Sequence, residues 1–79
     1  MNYLKQEIER KKKEIVGYKK SIRKAHSCYL DDEIDLKRYL QVKKNNETAI
    51  RETKKIIRLL QSTFLMRMKQ ILKKIKHTG

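Results

Sequence analysis

The 79-residue chain has no proline and no tryptophan, only two glycines and only one cysteine. Because proline and glycine supply most tight turns, their scarcity argues against a fold built from many short elements. The single cysteine, Cys28, cannot form a disulfide within the chain, and a reducing compartment is the simpler expectation. The first residues, MNYLKQEIERKKK, contain no uninterrupted apolar run of the kind that signal peptides and membrane spans require. We therefore expect an intracellular protein, either cytoplasmic or nucleoid-associated.

The motifs that carry catalysis or bind cofactors are also missing from the sequence. It has no glycine-rich phosphate loop, and no nucleophile with a base and an orienting acid at workable spacing. The acidic run DDEID lacks the glycine and the final glutamate of a calcium loop. His26 and Cys28 are two residues apart and would not face each other on a helix, which leaves no set of metal ligands. We expect no enzyme activity, no catalytic residue, no metal, no cofactor and no small-molecule substrate.

Lysine, arginine, glutamate, leucine and isoleucine dominate the composition, as they do in long helices and coiled coils. In the first part of the chain, apolar residues recur at alternating spacings of three and four. This is the seam of a helix that packs lengthwise on another helix. The members of this first seam are Met1, Leu4, Ile8, Lys11, Ile15, Tyr18, Ile22, Ala25 and Tyr29. Only Lys11 among them is polar, and the pattern predicts a helix over about residues 2–29.

The pattern breaks at about residues 30–35, where aspartates favour caps and turns because their short side chains compete for backbone amides. Asp32 or Asp35 is the expected N-cap of a second helix over about residues 36–77. The hairpin tip formed in this way comprises Tyr29, Asp31, Asp32, Ile34, Asp35 and Tyr39. The seam of the second helix comprises Leu36, Tyr39, Lys43, Asn46, Ile50, Thr53, Ile57, Leu60 and Phe64.

Two helices joined by so short a connection should be antiparallel neighbours. If Tyr29 faces Leu36, the numbers of facing residues sum to about 65, and the second helix then exceeds the first by roughly 13 residues, or about 20 Å. We call residues 65–79 the overhang. The expected fold is therefore all-α, one antiparallel coiled-coil hairpin domain spanning residues 1–79. Whether the overhang extends or folds back after residues 61–63 stays open at this point.

A lone hairpin of this size is marginally stable, so we expect self-association into a helical bundle or a bound partner protein. The candidate interface residues form a second stripe on the second helix and the apolar face of the overhang. They are Val42, Ala49, Ile56, Leu65, Met68, Ile71, Leu72 and Ile75.

The charges divide along the chain. Residues 1–28 carry nine lysines or arginines against three acids, residues 29–52 carry five against six, and residues 53–79 carry eight against none. An antiparallel hairpin then has a mildly acidic tip and a strongly basic base, and such a field attracts phosphate polymers or anionic membranes. The candidate nucleic-acid-binding residues are Lys11, Lys12, Lys13, Lys54, Lys55, Arg58, Arg67, Lys69, Lys73, Lys74 and Lys76.

Residues 22–50, IRKAHSCYLDDEIDLKRYLQVKKNNETAI, resemble the coiled-coil hairpin inserted in the zinc domain of large serine integrases. In that family an apolar heptad leads into a short turn, which is followed by a pattern like Ile-Asp/Ser-x-x-x-Tyr and a returning heptad helix. Ile34, Asp35 and Tyr39 stand at those positions, with Tyr29 ahead of the turn. Glu33 stands where the family often has glycine, and the zinc-binding cysteines are missing, so recombinase activity is not carried over. The resemblance implies a hairpin that docks on another coiled coil.

Three hypotheses about function follow from these observations. The leading one is a non-enzymatic interaction module, a regulatory adaptor that docks on a partner protein, in a phage or mobile-element recombination system if the resemblance holds. The alternative is a nucleic-acid-binding protein whose basic end contacts the phosphates of DNA or RNA. A third is a membrane-surface protein, because FLMRMKQILKKIK separates apolar from cationic residues.

Overall fold

The computed structural model contains two helices and no strand within residues 3–78, the part of the chain that it describes; side chains are described for residues 3–74. Helix α1 runs over Tyr3–Leu30 and helix α2 over Leu36–Thr78. The two form a helical hairpin, a rod with extents of 68 × 19 × 12 Å. The predicted all-α hairpin is confirmed.

The core of the hairpin is a thin apolar seam near the base, the end at which α1 begins. Ile8 and Ile15 of α1 pack with Ile57 of α2, and Ile50 and Leu60 pack against this cluster. Ile8 and Ile57 have residue numbers that sum to 65, and so do His26 and Tyr39, whose ring centroids lie 5.6 Å apart near the tip. These contacts agree with the predicted register near the base and near the tip of the hairpin.

Most of the buried and half-buried residues of the hairpin belong to the two seams. Every described member of the first seam is buried or half-buried, including Lys11, whose apolar stem can lie along the seam. Leu36 differs from the expectation, because its side chain is 50% exposed. It is the first residue of α2, so it lies at the edge of the zone that the last turn of α1 covers.

Helix α1 ends in a Schellman motif, in which backbone amides beyond the helix bond back to its last carbonyls. The Glu33 amide donates to the Cys28 carbonyl at 2.9 Å, and the Asp32 amide donates to the Tyr29 carbonyl at 3.2 Å. Asp32 has a φ of 60°. This left-handed conformation is usual for glycine, and aspartate tolerates it better than most residues do. Asp32 therefore ends the first helix.

Asp35 begins the second helix. Its Oδ1 accepts a hydrogen bond of 2.8 Å from the Arg38 amide, the geometry of an N-cap, which contributes about 1 kcal/mol. Of the two candidate N-caps, the structure thus selects Asp35. The Tyr29 and Tyr39 rings close the hairpin beside this turn, stacked with centroids 5.5 Å apart and planes 14° from parallel.

The overhang continues α2 without a break, because a single helix runs through residues 61–63 to Thr78. This observation decides between extension and fold-back in favour of extension. Ser21 and Thr63 each donate a hydrogen bond to the carbonyl four residues earlier, so both hydroxyl groups are satisfied within their own helix.

Truncation of the core should destabilise the hairpin strongly. We expect Ile57→Ala to lower the free energy of unfolding by about 2 kcal/mol or more, since it removes a buried branched side chain and leaves a gap opposite Ile8. Leu59→Ala is the matched control, because Leu59 is 68% exposed, and its effect should stay within about 0.5 kcal/mol. Urea unfolding followed by far-UV circular dichroism measures both. Equal losses in the two variants would contradict the register.

Candidate interaction surfaces

The overhang presents large apolar side chains to solvent. Between residues 65 and 74 every described side chain is exposed. Leu65, Ile71 and Leu72 are each more than half exposed, and Met68 is 44% exposed. Of the residues predicted to form this apolar face, the side chain of Ile75 lies outside the described set. The described part of α1 begins at Tyr3, opposite residue 62 in the register described above, and covers no part of this face.

The second stripe borders the seam. Val42 and Ala49 are half-buried, and Ile56 is 41% exposed. At about 100° per residue these three positions lie on one flank of the α2 seam and turn gradually away from it. They widen the apolar surface of the paired part of the hairpin, and they do not lie on the same side as Leu65 and Leu72.

The opposite flank of the hairpin is basic. Lys5, Glu9 and Lys12 of α1 line one groove together with Gln61 and Phe64 of α2, so these residues share one side of the rod. The groove has a volume of about 320 Å³ and is open to solvent. Helical spacing adds further exposed cations to this side; they are Lys19, Lys54 and Arg58.

Helix α2 repeats one arrangement of three cations. Arg51, Lys55 and Arg58 recur as Lys69, Lys73 and Lys76, each eighteen residues later. Eighteen residues make five complete helical turns, so both triplets lie along one stripe, which is about 38 Å long. The described members of the stripe are all exposed; the Lys76 side chain lies outside the described set. Sequence analysis missed Arg51 and Lys5, although the eighteen-residue spacing would have identified Arg51.

Ion pairs reduce the excess charge of α1. Within the described side chains, three pairs join residues one turn apart: Glu7 with Arg10 at 3.5 Å, Lys11 with Glu14 at 3.4 Å, and Lys12 with Glu9 at 3.7 Å. Exposed pairs of this kind contribute well under 1 kcal/mol each. Two of the predicted phosphate contacts, Lys11 and Lys12, are thus already paired with acids, whereas Lys13 is exposed on the outer side of α1.

The remaining candidates lie on α2 and are exposed: Lys54, Lys55, Arg58, Arg67, Lys69, Lys73 and Lys74. No acidic residue follows Glu52 in the sequence. The positive surface is therefore concentrated on the second half of α2 rather than shared equally between the two helices at the base.

The tip combines acids with exposed leucines. Asp31, Asp32 and Glu33 are exposed in the turn, and Leu30 and Leu40 beside them are at least half exposed. Because Asp32 ends α1 and Asp35 begins α2, two of the four clustered acids have a structural reason for their position.

Glu33 acts on the thiol of Cys28. The fold-back of the Schellman motif brings the two residues together, and the thiol donates a hydrogen bond to the Glu33 carboxylate. This bond raises the pKa of Cys28, and so do desolvation and the negative charges of Glu33 and Asp31, whereas Lys24 lowers it. A thiol held protonated in this way is a poor nucleophile near neutral pH.

The described residues provide neither a metal site nor a membrane-spanning helix. No group of three or more histidine, cysteine or acidic side chains there is close enough to hold a metal ion. In the same part of the chain, neither helix contains a stretch that is long and apolar enough to cross a lipid bilayer.

No protein-family model matches this chain, and the searches of curated proteins and of solved structures found no similar protein. The resemblance of residues 22–50 to the integrase hairpin therefore stays a prediction.

Glu33→Gln should make Cys28 more reactive. Replacing the carboxylate with a neutral amide removes the largest cause of the raised thiol pKa, so the thiolate fraction near neutral pH should increase. Alkylation of this single cysteine by iodoacetamide, followed across pH, should show its midpoint at lower pH in the variant than in the parent. Glu47→Gln, which changes an acid distant from the turn, should leave the midpoint unchanged. An identical midpoint in Glu33→Gln would refute the assignment.

Proposed function

We propose that the protein is a non-enzymatic interaction module, a small regulatory adaptor that docks on a partner protein through its overhang. The observation that carries this proposal is the exposed apolar face on a regular helix that extends beyond its own partner helix. Leu65, Met68, Ile71 and Leu72 are exposed within eight residues of one another. A contiguous apolar surface of this kind on a small protein favours a docking role.

The mode of docking follows from the shape of the overhang. An amphipathic helix presents apolar side chains three and four residues apart, and a second helix or a groove can receive them. The paired part of the hairpin would hold α2 in place, and the overhang would make the contact. Regulation of a phage or mobile-element recombination system is the narrower form of this proposal, and only the resemblance of residues 22–50 supports it.

Capture from the native cells tests the proposal. The tagged protein should retain a specific protein partner after nuclease treatment of the lysate, and Ile71→Asp should lose that partner because the change places a charge in the apolar face. Met66→Asp is the matched control, since it introduces the same charge on the same segment but on the opposite side of the helix. Loss of every retained protein upon nuclease treatment, or equal retention by both variants, would count against a docking module.

A second function, contact with nucleic acid, is favoured by the stripe of cations that begins at Arg51. It runs along one side of α2 with no acid after Glu52 to offset its charge, and such a row of lysines and arginines can neutralise several phosphates. Most of the aromatic residues are half-buried in the seam and are not free to stack on bases, so the contact would be with phosphates.

This second function predicts a steep dependence on salt. With about six phosphate contacts, affinity for DNA or RNA should fall on the order of 10³-fold between low and physiological salt. Lys55→Glu with Lys73→Glu should weaken binding of every sequence and reduce the salt slope. Lys20→Glu with Lys24→Glu, which changes the net charge equally at exposed positions of α1, should have a much smaller effect. Fluorescence anisotropy measures all of these, and absence of binding at low salt would exclude the function.

A further inference from the structure

The apolar face of the overhang is aligned with the seam of the hairpin. At about 100° per residue, Met68 and Ile71 lie within about 40° of the direction in which Ile57 points toward α1. Leu65 and Leu72 extend the face to one side. The overhang thus offers its apolar residues on the same side of α2 that α1 covers further along. A second helix could therefore pack on the overhang end to end with α1.

Cations border this face on both edges. Arg67 and Lys74 lie along one edge, and Lys69 and Lys76 lie along the other, each pair seven residues apart. In a pair of packed helices, the side chains at such edge positions meet those of the neighbouring helix and determine which partner is accepted. Both edges have the same sign of charge, and no acid follows Glu52.

The spacing of the apolar residues changes opposite the start of α1. Along the paired part of α2 the seam alternates spacings of three and four up to Leu60 and Phe64. It then takes two successive steps of four, from Leu60 to Phe64 and from Phe64 to Met68, before the alternation resumes. Two successive steps of four amount to an insertion of four residues in the heptad repeat, and such an insertion shifts the phase of a coiled coil. The two steps of four fall within a turn or two of the point opposite Tyr3, so the heptad pattern of the overhang is out of phase with that of the part paired with α1.

These features disfavour a second overhang as the occupant. In an antiparallel pair of overhangs each cationic edge would meet the same edge of the other copy, and in a parallel pair each would meet the opposite edge, which is also cationic. Like charges at facing positions destabilise such pairs. Repulsion arises in either orientation and is strongest at low salt.

A flat lipid surface also fits poorly. Helix α1 packs on the side of α2 that carries the apolar face, with axes about 8–10 Å apart. A bilayer that covered the overhang from that side would meet the start of α1, at Tyr3, before it reached the residues nearest the junction. A helix lying end to end with α1 meets no such obstacle.

We infer that the overhang binds an amphipathic helix with acidic edges, seated in line with α1 and covering residues 65–78. This inference rests on the proposed docking function and specifies the chemistry of the partner. The partner would supply three to four turns with an apolar seam, and glutamates or aspartates would face Arg67 and Lys69 on the two edges. Arg67 and Lys69 are both exposed, so a partner's acids could reach them.

Two synthetic helical peptides test the charge requirement. Both have the same leucine and isoleucine seam, but one has glutamates at its edges and the other has lysines. The full chain should bind the glutamate peptide at least tenfold more tightly at low salt, measured by fluorescence anisotropy. The difference should shrink as salt increases. Ile71→Asp should weaken binding of the glutamate peptide at least tenfold, and Met66→Asp should change it less than threefold.

Other outcomes would overturn the inference. Equal binding of the two peptides would remove the charge requirement, and equal effects of Ile71→Asp and Met66→Asp would place the contact elsewhere. A low-salt dimer in sedimentation, abolished by Ile71→Asp alone, would assign the face to a second copy. Flotation with vesicles of phosphatidylserine and phosphatidylcholine, abolished by Ile71→Asp alone, would assign it to a membrane. If the glutamate peptide does not bind while capture from cells still requires Ile71, the docking function stands and the acidic-edge inference fails.

Discussion

Ile8 and Ile15 of α1 meet Ile57 of α2, and this contact fixes where each helix lies along the other. Because the turn between the helices is short, the same register holds at the tip, where Tyr39 contacts both His26 and Tyr29. The lengths of the helices then determine the rest. Helix α1 has 28 residues and α2 has 43, so α2 must extend beyond its partner at the base. The exposed face of the overhang is a direct consequence of that difference in length.

A pair of helices can bury only one stripe on each, and here the stripe is shallow. No described side chain is fully buried: the buried apolar residues retain 7–9% of their accessible surface, and Thr53 in the seam of α2 retains 6%. The other faces of both helices meet solvent or a partner. This explains why charge is so abundant and also why its sign matters. On α1 three acids pair with lysine or arginine one turn away. On α2 the second half has no acid, so its positive field is not offset locally.

The seam was predictable because its signal is local and periodic. Spacings of three and four identified Leu4, Ile8 and Ile15 on α1, and Ile57 on α2, and all are buried. The predicted N-cap had two candidates, since Asp32 and Asp35 have the same side chain and flank the same turn. Only the backbone conformation distinguishes them: Asp32 has a positive φ and ends a helix, whereas Asp35 bonds to the Arg38 amide and begins one.

Other features depend on three-dimensional arrangement and had no local signal. The contact between Cys28 and Glu33 exists because the chain folds back across the end of α1, which a residue pattern does not reveal. Likewise, Ser62 and Thr63 were as compatible with a break as with a continuous helix, because their hydroxyl groups can bond to the backbone in either case. The groove that Lys5 and Gln61 both line exists only because the two helices pair antiparallel, which no local pattern reveals.

Continuity of α2 has an energetic consequence for recognition. An isolated helix as short as residues 65–78 is marginal in water, because forming its first turn is unfavourable. In this hairpin the overhang propagates from a part of α2 that α1 already holds, so nucleation has occurred before any partner arrives. In the proposed mode of docking, the cations on both edges would disfavour pairing of two copies and would leave the preformed apolar face available to a partner. Binding then orders fewer residues than it would in a disordered segment of equal composition, and more of the contact energy appears as affinity.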